Sequence, residues 1–272
     1  MKLRTLGLSG LGALGLSALL ACTKDEAPPP AAAVRPAAPP AVKAAPLPAD
    51  TPIPQDEAPP AAKGGGTVHG TISFKGTPPT PAPIDPGTDP NCEGMDLVDQ
   101  SVHVKDGKLA NVLVRVQGTV PGESKPPPGS MVVVDQNRCT FLPRVQGAVQ
   151  GQPIVLMNSD GTLHNVRGMS GGKQLFNVTQ PPLKTKEAQP PRDVEIVKLK
   201  CDIHPWMTAW VVTNPNPYFA TSDEEGTFDI QGVPPGTYTL EAWHETLGTK
   251  TAQVTVTEGH EAQVSFEFMA AR

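Results

Sequence analysis

The sequence predicts an all-β protein made of β-sandwiches and preceded by a disordered linker. Three observations lead there. From about Thr67 to Arg272, short β-branched runs alternate with Gly, Pro, Asn and Asp, and helical periodicity is scarce. That many short strands with turn signals between them is the pattern of sandwiches. Ahead of them lies a long Pro/Ala tract that cannot form a packed core. The chain opens on an export signal, which sends the rest to an oxidising compartment.

Residues 1–21 carry two positive charges, Lys2 and Arg4, then an apolar run rich in Leu, Gly and Ala. The run is too short and too rich in small residues to serve as a lasting membrane span. Residues 22–66 form a tether. From Ala27 to Pro60 it is mostly Pro and Ala, a semi-rigid spacer reaching up to ~3 Å per residue, and GGG at 64–66 marks a flexible boundary.

The strand-like runs VHGTISFKG and ANVLVRVQG fall in 67–126; SMVVVDQ, QPIVLMN, DVEIVKLKC and MTAWVVT belong to 127–213. GTFDI, GTYTLEAW, TAQVTV and AQVSFEF fall in 214–272. The formal charge of −5 becomes more negative once the signal leaves, and aromatics are few, which argues against nucleic-acid binding. No Walker-type loop, GxSxG elbow, HExxH or H-x-x-E motif occurs, so the chain reads as a non-enzyme.

Residues 201–207 read CDIHPWM. A thiol, an imidazole and a thioether, each two residues from the next, are soft or borderline metal ligands. An ordinary coordination sphere needs one donor more. Of the six histidines, His164 in MNSDGTLHNV is the candidate, after a strand and a turn. Four cysteines are present. If Cys22 carries lipid and Cys201 binds metal, Cys92 and Cys139 remain to pair; the alternative is two reduced, buried thiols. A disulfide that used Cys201 would defeat the metal reading.

The ending LLAC of the signal resembles the lipobox of bacterial lipoproteins, in which the cysteine, here Cys22, becomes the lipidated N-terminus. That implies a lipid-anchored protein of the cell envelope. Thr23 in place of Asp points to the periplasmic face of the outer membrane.

SMVVVDQ, VQGQPIVLMNSDGTLHNV, DVEIVKLK and CDIHPWM with TAWVVT together resemble the cupredoxins, most closely the amicyanin-like blue copper proteins. The resemblance implies a Greek-key sandwich, one type 1 copper ion and the ligands His164, Cys201, His204 and Met207. It also implies that Asn165 ties the first-His loop to the Cys loop, and that His204 reaches the surface as the electron's path. The residue types agree independently, since a His₂Cys set with a distant thioether suits copper, whereas zinc sites more often use ligand pairs from two knuckles. Pro205 restricts the backbone between His204 and Met207. Trp206 is either part of a docking face or packing.

YFATSDEEGTFDIQGVPPGTYTLEAWHETLG resembles the carboxypeptidase regulatory-like family of transthyretin-type sandwiches, with Gly226 and Gly236 suited to tight hairpin turns. Its usual first strands lie before the cupredoxin-like part, so 67–126 and 214–272 would form one sandwich with 127–213 inserted. One enlarged sandwich is the competing layout. Trp243 and His244 read as structural, with a carbohydrate-binding surface as a weaker option. Function follows as electron transfer by a tethered copper protein to a redox partner protein. The alternatives are an envelope copper carrier or store, or a structural or carbohydrate-binding lipoprotein with a non-functional loop.

Overall fold

The computed structural model describes residues 64–122, 125–126, 130–188, 190 and 193–270. The signal at 1–21, Cys22 and the tether as far as residue 63 lie outside the described residues. Every regular element among those described is a strand.

Strand Gly66–Lys75 organises the first sandwich. Its residues alternate between buried and half-buried along almost the whole strand, as one core-facing side requires. It pairs antiparallel with Thr227–Val233 and parallel with Glu261–Met269, and Lys108–Leu109 and Val104–Lys105 continue the sheet. The facing sheet has the order Phe219–Thr221, Leu113–Val116, Gly236–His244, Gly248–Val256. Val68, Ile72, Val114, Phe228, Leu240 and Phe268 fill the space between them. Strands from both ends of the described chain therefore share one core. Gly70 faces Phe228, whose ring lies so close that a Cβ on residue 70 would meet it at 2.2 Å.

The two turn glycines differ from expectation. Gly226 does close a tight turn, with φ 69° and its N–H on Asp223 O at 3.0 Å. That turn, however, carries the chain from Phe219–Thr221 in one sheet to Thr227–Val233 in the other, and Pro234–Pro235 carry it back to the strand that Gly236 begins. Neither is a hairpin. Successive strands here lie on opposite sides of the core, so the turns bridge the layers.

Residues 132–214 build two further sheets. One has the order Thr185–Ala188, Ile154–Asn158, Val132–Asn137, Thr140–Leu142. The other runs Lys173–Gln180, His164–Ser170, Ile196–Lys200, Thr208–Asn214, Val145–Val149. Each contains one parallel pair among antiparallel ones, a Greek-key arrangement. Val134, Phe141, Leu156, Val166, Leu199 and Val211 form the core, and Cys201 and Met207 belong to the same apolar cluster.

The sandwiches abut through Leu113, Val145 and Val212, with Ile196, Trp210, Phe219 and Trp243 around them. Trp210 meets Trp243 edge-on at 5.5 Å, and its Nε1 donates to Glu245 at 2.8 Å. Arg144 pairs with the same carboxylate, whose side chain is 6% exposed. Trp243 is thus a packing residue of this junction. A second link is covalent: Cys92 and Cys139 form a disulfide with Cα atoms 5.8 Å apart, and Cys201 is free and buried.

Candidate metal centre

Two local features bring the donors together. Strands His164–Ser170 and Ile196–Lys200 pair directly, Arg167 opposite Lys200, so residues 164 and 201 emerge at the same end of the sheet. Lys200 also faces Thr208, which closes 201–207 into a loop. Inside it, Met207 N–H bonds to His204 O at 3.0 Å across Pro205, a β-turn with proline at the position its fixed φ favours.

His164 Nδ1 and His204 Nδ1 stand 2.8 Å apart, and Cys201 Sγ lies 4.0 Å and 3.8 Å from them respectively. All three residues are buried, and their ligand atoms lie within 4.8 Å of one another. An ion bound in a plane at ~2.0 Å to nitrogen and ~2.3 Å to sulfur needs sulfur–nitrogen distances of about 3.8 Å and a nitrogen–nitrogen distance of about 3.5 Å. Both sulfur legs match. The two imidazole nitrogens, at 2.8 Å, are closer than that. Met207 is 1% exposed beside them in the same cluster as Cys201. The donors fit a copper ion of the type 1 kind.

Each imidazole has a carboxylate behind it. His164 Nε2 is 2.9 Å from Asp160 Oδ2, which also accepts Cys139 N–H at 2.9 Å. His204 Nε2 is 3.1 Å from Asp89 Oδ2, and the Thr162 hydroxyl donates to that oxygen at 2.7 Å. Asn165 ties the loops as the resemblance implies: its Oδ1 accepts Asp202 N–H at 2.7 Å and lies 3.5 Å from Cys201 Sγ.

These contacts set the charges. Burial works against a charged His164, yet the bonds to Asp160 and Cys201 prevail and lift its pKa to about 9. Burial pushes the Cys201 thiol up, but His164 and the backbone N–H groups of Asn165, His204 and Ile203 outweigh it and bring the thiol down. His204 is lowered, by burial first, with Asp89 acting in the opposite sense. The Thr162 hydroxyl and Asn91 N–H hold Asp89 well below the usual carboxylate range. The site favours a thiolate.

One expectation needs correction. His204 does not reach the surface: it is 2% exposed, and Asp89 covers the nitrogen that would face solvent. The disulfide draws the segment around Cys92 over that ring. Trp206 is half-buried, 5.1 Å from the His204 ring, with Nε1 donating to Cys139 O at 2.8 Å, so it packs beneath this cover. Asp89, Asp160 and Thr162 were not among the site residues expected. Asp160 had a signal, four residues before His164 in the same loop. Asp89 had only its nearness to Cys92.

Residues 209–268 match the family described as Carboxypeptidase regulatory-like domain. The match starts within strand Thr208–Asn214. No curated protein matches the chain. Among solved structures it is similar to a purple cupredoxin from Nitrosopumilus maritimus, at 19% identity over 30% of this chain and 99% of that one, TM-score 0.28. It is also similar to amicyanin from Paracoccus versutus, at 18% identity over 37% of this chain and 97% of that one, TM-score 0.29. A Cu-containing nitrite reductase from Thermus scotoductus SA-01 is 16% identical over 36% of this chain and 25% of that one, TM-score 0.29. The family match thus falls on the strands that follow the donor loop, and the donor loop itself lies in the other sandwich.

Proposed function

We propose that the protein is a membrane-tethered type 1 copper protein that transfers single electrons in the cell envelope. The observation that supports this is the convergence of His164, Cys201 and His204, drawn from segments 37 and 40 residues apart, at one buried end of a sandwich with Met207 alongside. When bound, the copper ion would supply a one-electron Cu(II)/Cu(I) couple. The chain's part is to hold its donors still through a change of ionic charge. Asn165 fixes the two loops to each other, the Pro205 turn fixes His204 relative to Met207, and backbone N–H groups aimed at Cys201 tune the sulfur. Met207, buried in the same cluster as Cys201, would complete the set of residues that hold the ion, and the role proposed for the site is electron transfer.

Lipid on Cys22 would anchor the chain to the periplasmic face of the outer membrane, with 22–66 as the spacer that lets the folded part reach a redox partner protein. The test is the visible spectrum of purified protein with Cu(II) added. An intense thiolate-to-copper band in the parent, lost in Cys201→Ser, is the expected result; a colourless parent would exclude the reading.

The covered edge of His204 favours a second reading, an envelope copper carrier or store with the same donors. Rapid, reversible reduction of the loaded protein by a small electron donor speaks for electron transfer. Fast handover of copper to a chelator with sluggish reduction speaks for the carrier.

A further inference from the structure

Asp89 comes from outside the metal module. It lies between strands Gly66–Lys75 and Val104–Lys105 of the regulatory-like sandwich, 115 residues before His204. Six hydrogen bonds hold it, four of which bear on the site. Its Oδ2 accepts from Thr162 and faces His204 Nε2, its Oδ1 accepts Asn91 N–H at 2.8 Å, and its carbonyl accepts Cys92 N–H at 2.9 Å. Cys92 is then bonded to Cys139, whose N–H reaches Asp160 and whose carbonyl takes the Trp206 indole. The same few residues deliver a covalent staple and a carboxylate to one point.

Resting on the copper reading, we propose that Asp89 is the positioning residue of the site, delivered by the Cys92–Cys139 staple to orient His204 and to bias the centre towards the more highly charged copper ion. A carboxylate facing Nε2 accepts its N–H, which keeps the ring proton on that nitrogen and leaves the Nδ1 lone pair for the metal side, where Cys201 and His164 stand. The contact is part-buried, His204 being 2% exposed and the Asp89 side chain 21%, so the negative charge is screened less than at an open surface. A nearby anion lowers the energy of Cu(II) more than that of Cu(I). The regulatory-like sandwich thus completes the metal centre instead of merely carrying it.

The test compares Asp89→Asn with Asp85→Asn in the full chain. Asn keeps the volume of Asp89 and removes its charge; Asp85 belongs to the same segment but bonds Gly87 N–H at 2.8 Å and does not touch His204. For Asp89→Asn, Cu(II) affinity measured against a competing chelator should fall about 10–100-fold. Cu(I) affinity should change less, and the reduction potential should rise by about 59 mV for each tenfold difference between the two. Asp85→Asn should stay near the parent. Should Asp89→Asn misfold, Thr162→Val, which removes the hydroxyl holding the carboxylate, should move the potential in the same direction by a smaller step. An Asp89→Asn or Thr162→Val protein with the parent's Cu(II) affinity and potential overturns the proposal, as does an equal shift in Asp85→Asn. Either result with a coloured parent leaves the copper reading standing, whereas a parent without the charge-transfer band removes both.

Discussion

His244 and His164 are equally deep, at 1% and 0% exposure, one in each sandwich, and they are opposite in character. The Nδ1 of His244 accepts the backbone N–H groups of Thr246 and Leu247, both at 3.2 Å, and its Nε2 has no hydrogen-bond partner among the described residues. Burial, helped by the charge of Arg144, pushes it down to about 4. His164 has a carboxylate on one nitrogen and two metal-type donors near the other, and it rises to about 9. Depth does not mark a ligand; the polar neighbours do. His244 uses its lone pair to close a strand-end turn, while that of His164 is aimed at other donors.

The sharpest way to break this contrast is to remove each ring in turn. His164→Gln should cost more copper affinity than the roughly 10–100-fold typical of losing an outer partner. His244→Gln should leave copper binding unchanged; equal losses in both would erase the distinction. Next in size is the linkage of copper to folding. At a free Cu(II) concentration of 100 times Kd, the parent should gain about 2.7 kcal/mol in stability by denaturant titration, and Cys201→Ser should gain far less.

The two histidines should also tilt the metal-free protein's pH dependence in opposite senses. His244 binds its proton more weakly folded than unfolded, so its contribution is present above pH 6.5 and is lost towards pH 4, a change of about 3 kcal/mol at most. His164 binds its proton more tightly folded, so its contribution is complete below pH 6.5 and is lost as pH rises through about 9. Thermal midpoints across pH 4–9 should fall on both limbs, with His244→Gln flattening only the acid one. Smaller still, Asn165→Ala should cost about 1–3 kcal/mol, because it leaves the Asp202 N–H without its acceptor. Trp206→Phe, which loses one hydrogen bond to Cys139 O, should cost about 1 kcal/mol.

Much of this was legible in the sequence, and the reasons differ by region. All ten strand-like runs lie on strands, because β-branched alternation is a local signal. The hairpin His164–Ser170/Lys173–Gln180 was not among them, although Gly171 and Gly172, at φ 52° and 81°, are the residues a two-residue hairpin turn demands. Its strands mix Asn, Arg, Gln and Lys with apolar residues, which blurs the period. At the site, 201–207 could be read at once since its donors share one short loop. His164 needed the family likeness. Asp89 could not be found by spacing at all: its place is set by the disulfide, a contact 47 residues long. A carboxylate next to one partner of an expected disulfide deserves to be considered near whatever the other partner adjoins.

The most direct test is X-ray absorption at the copper edge of the loaded protein. One short sulfur scatterer and two imidazole nitrogens are expected, with the sulfur absent in Cys201→Ser. A first sphere of oxygen and nitrogen alone, unchanged by that substitution, would contradict a centre built on His164, Cys201 and His204.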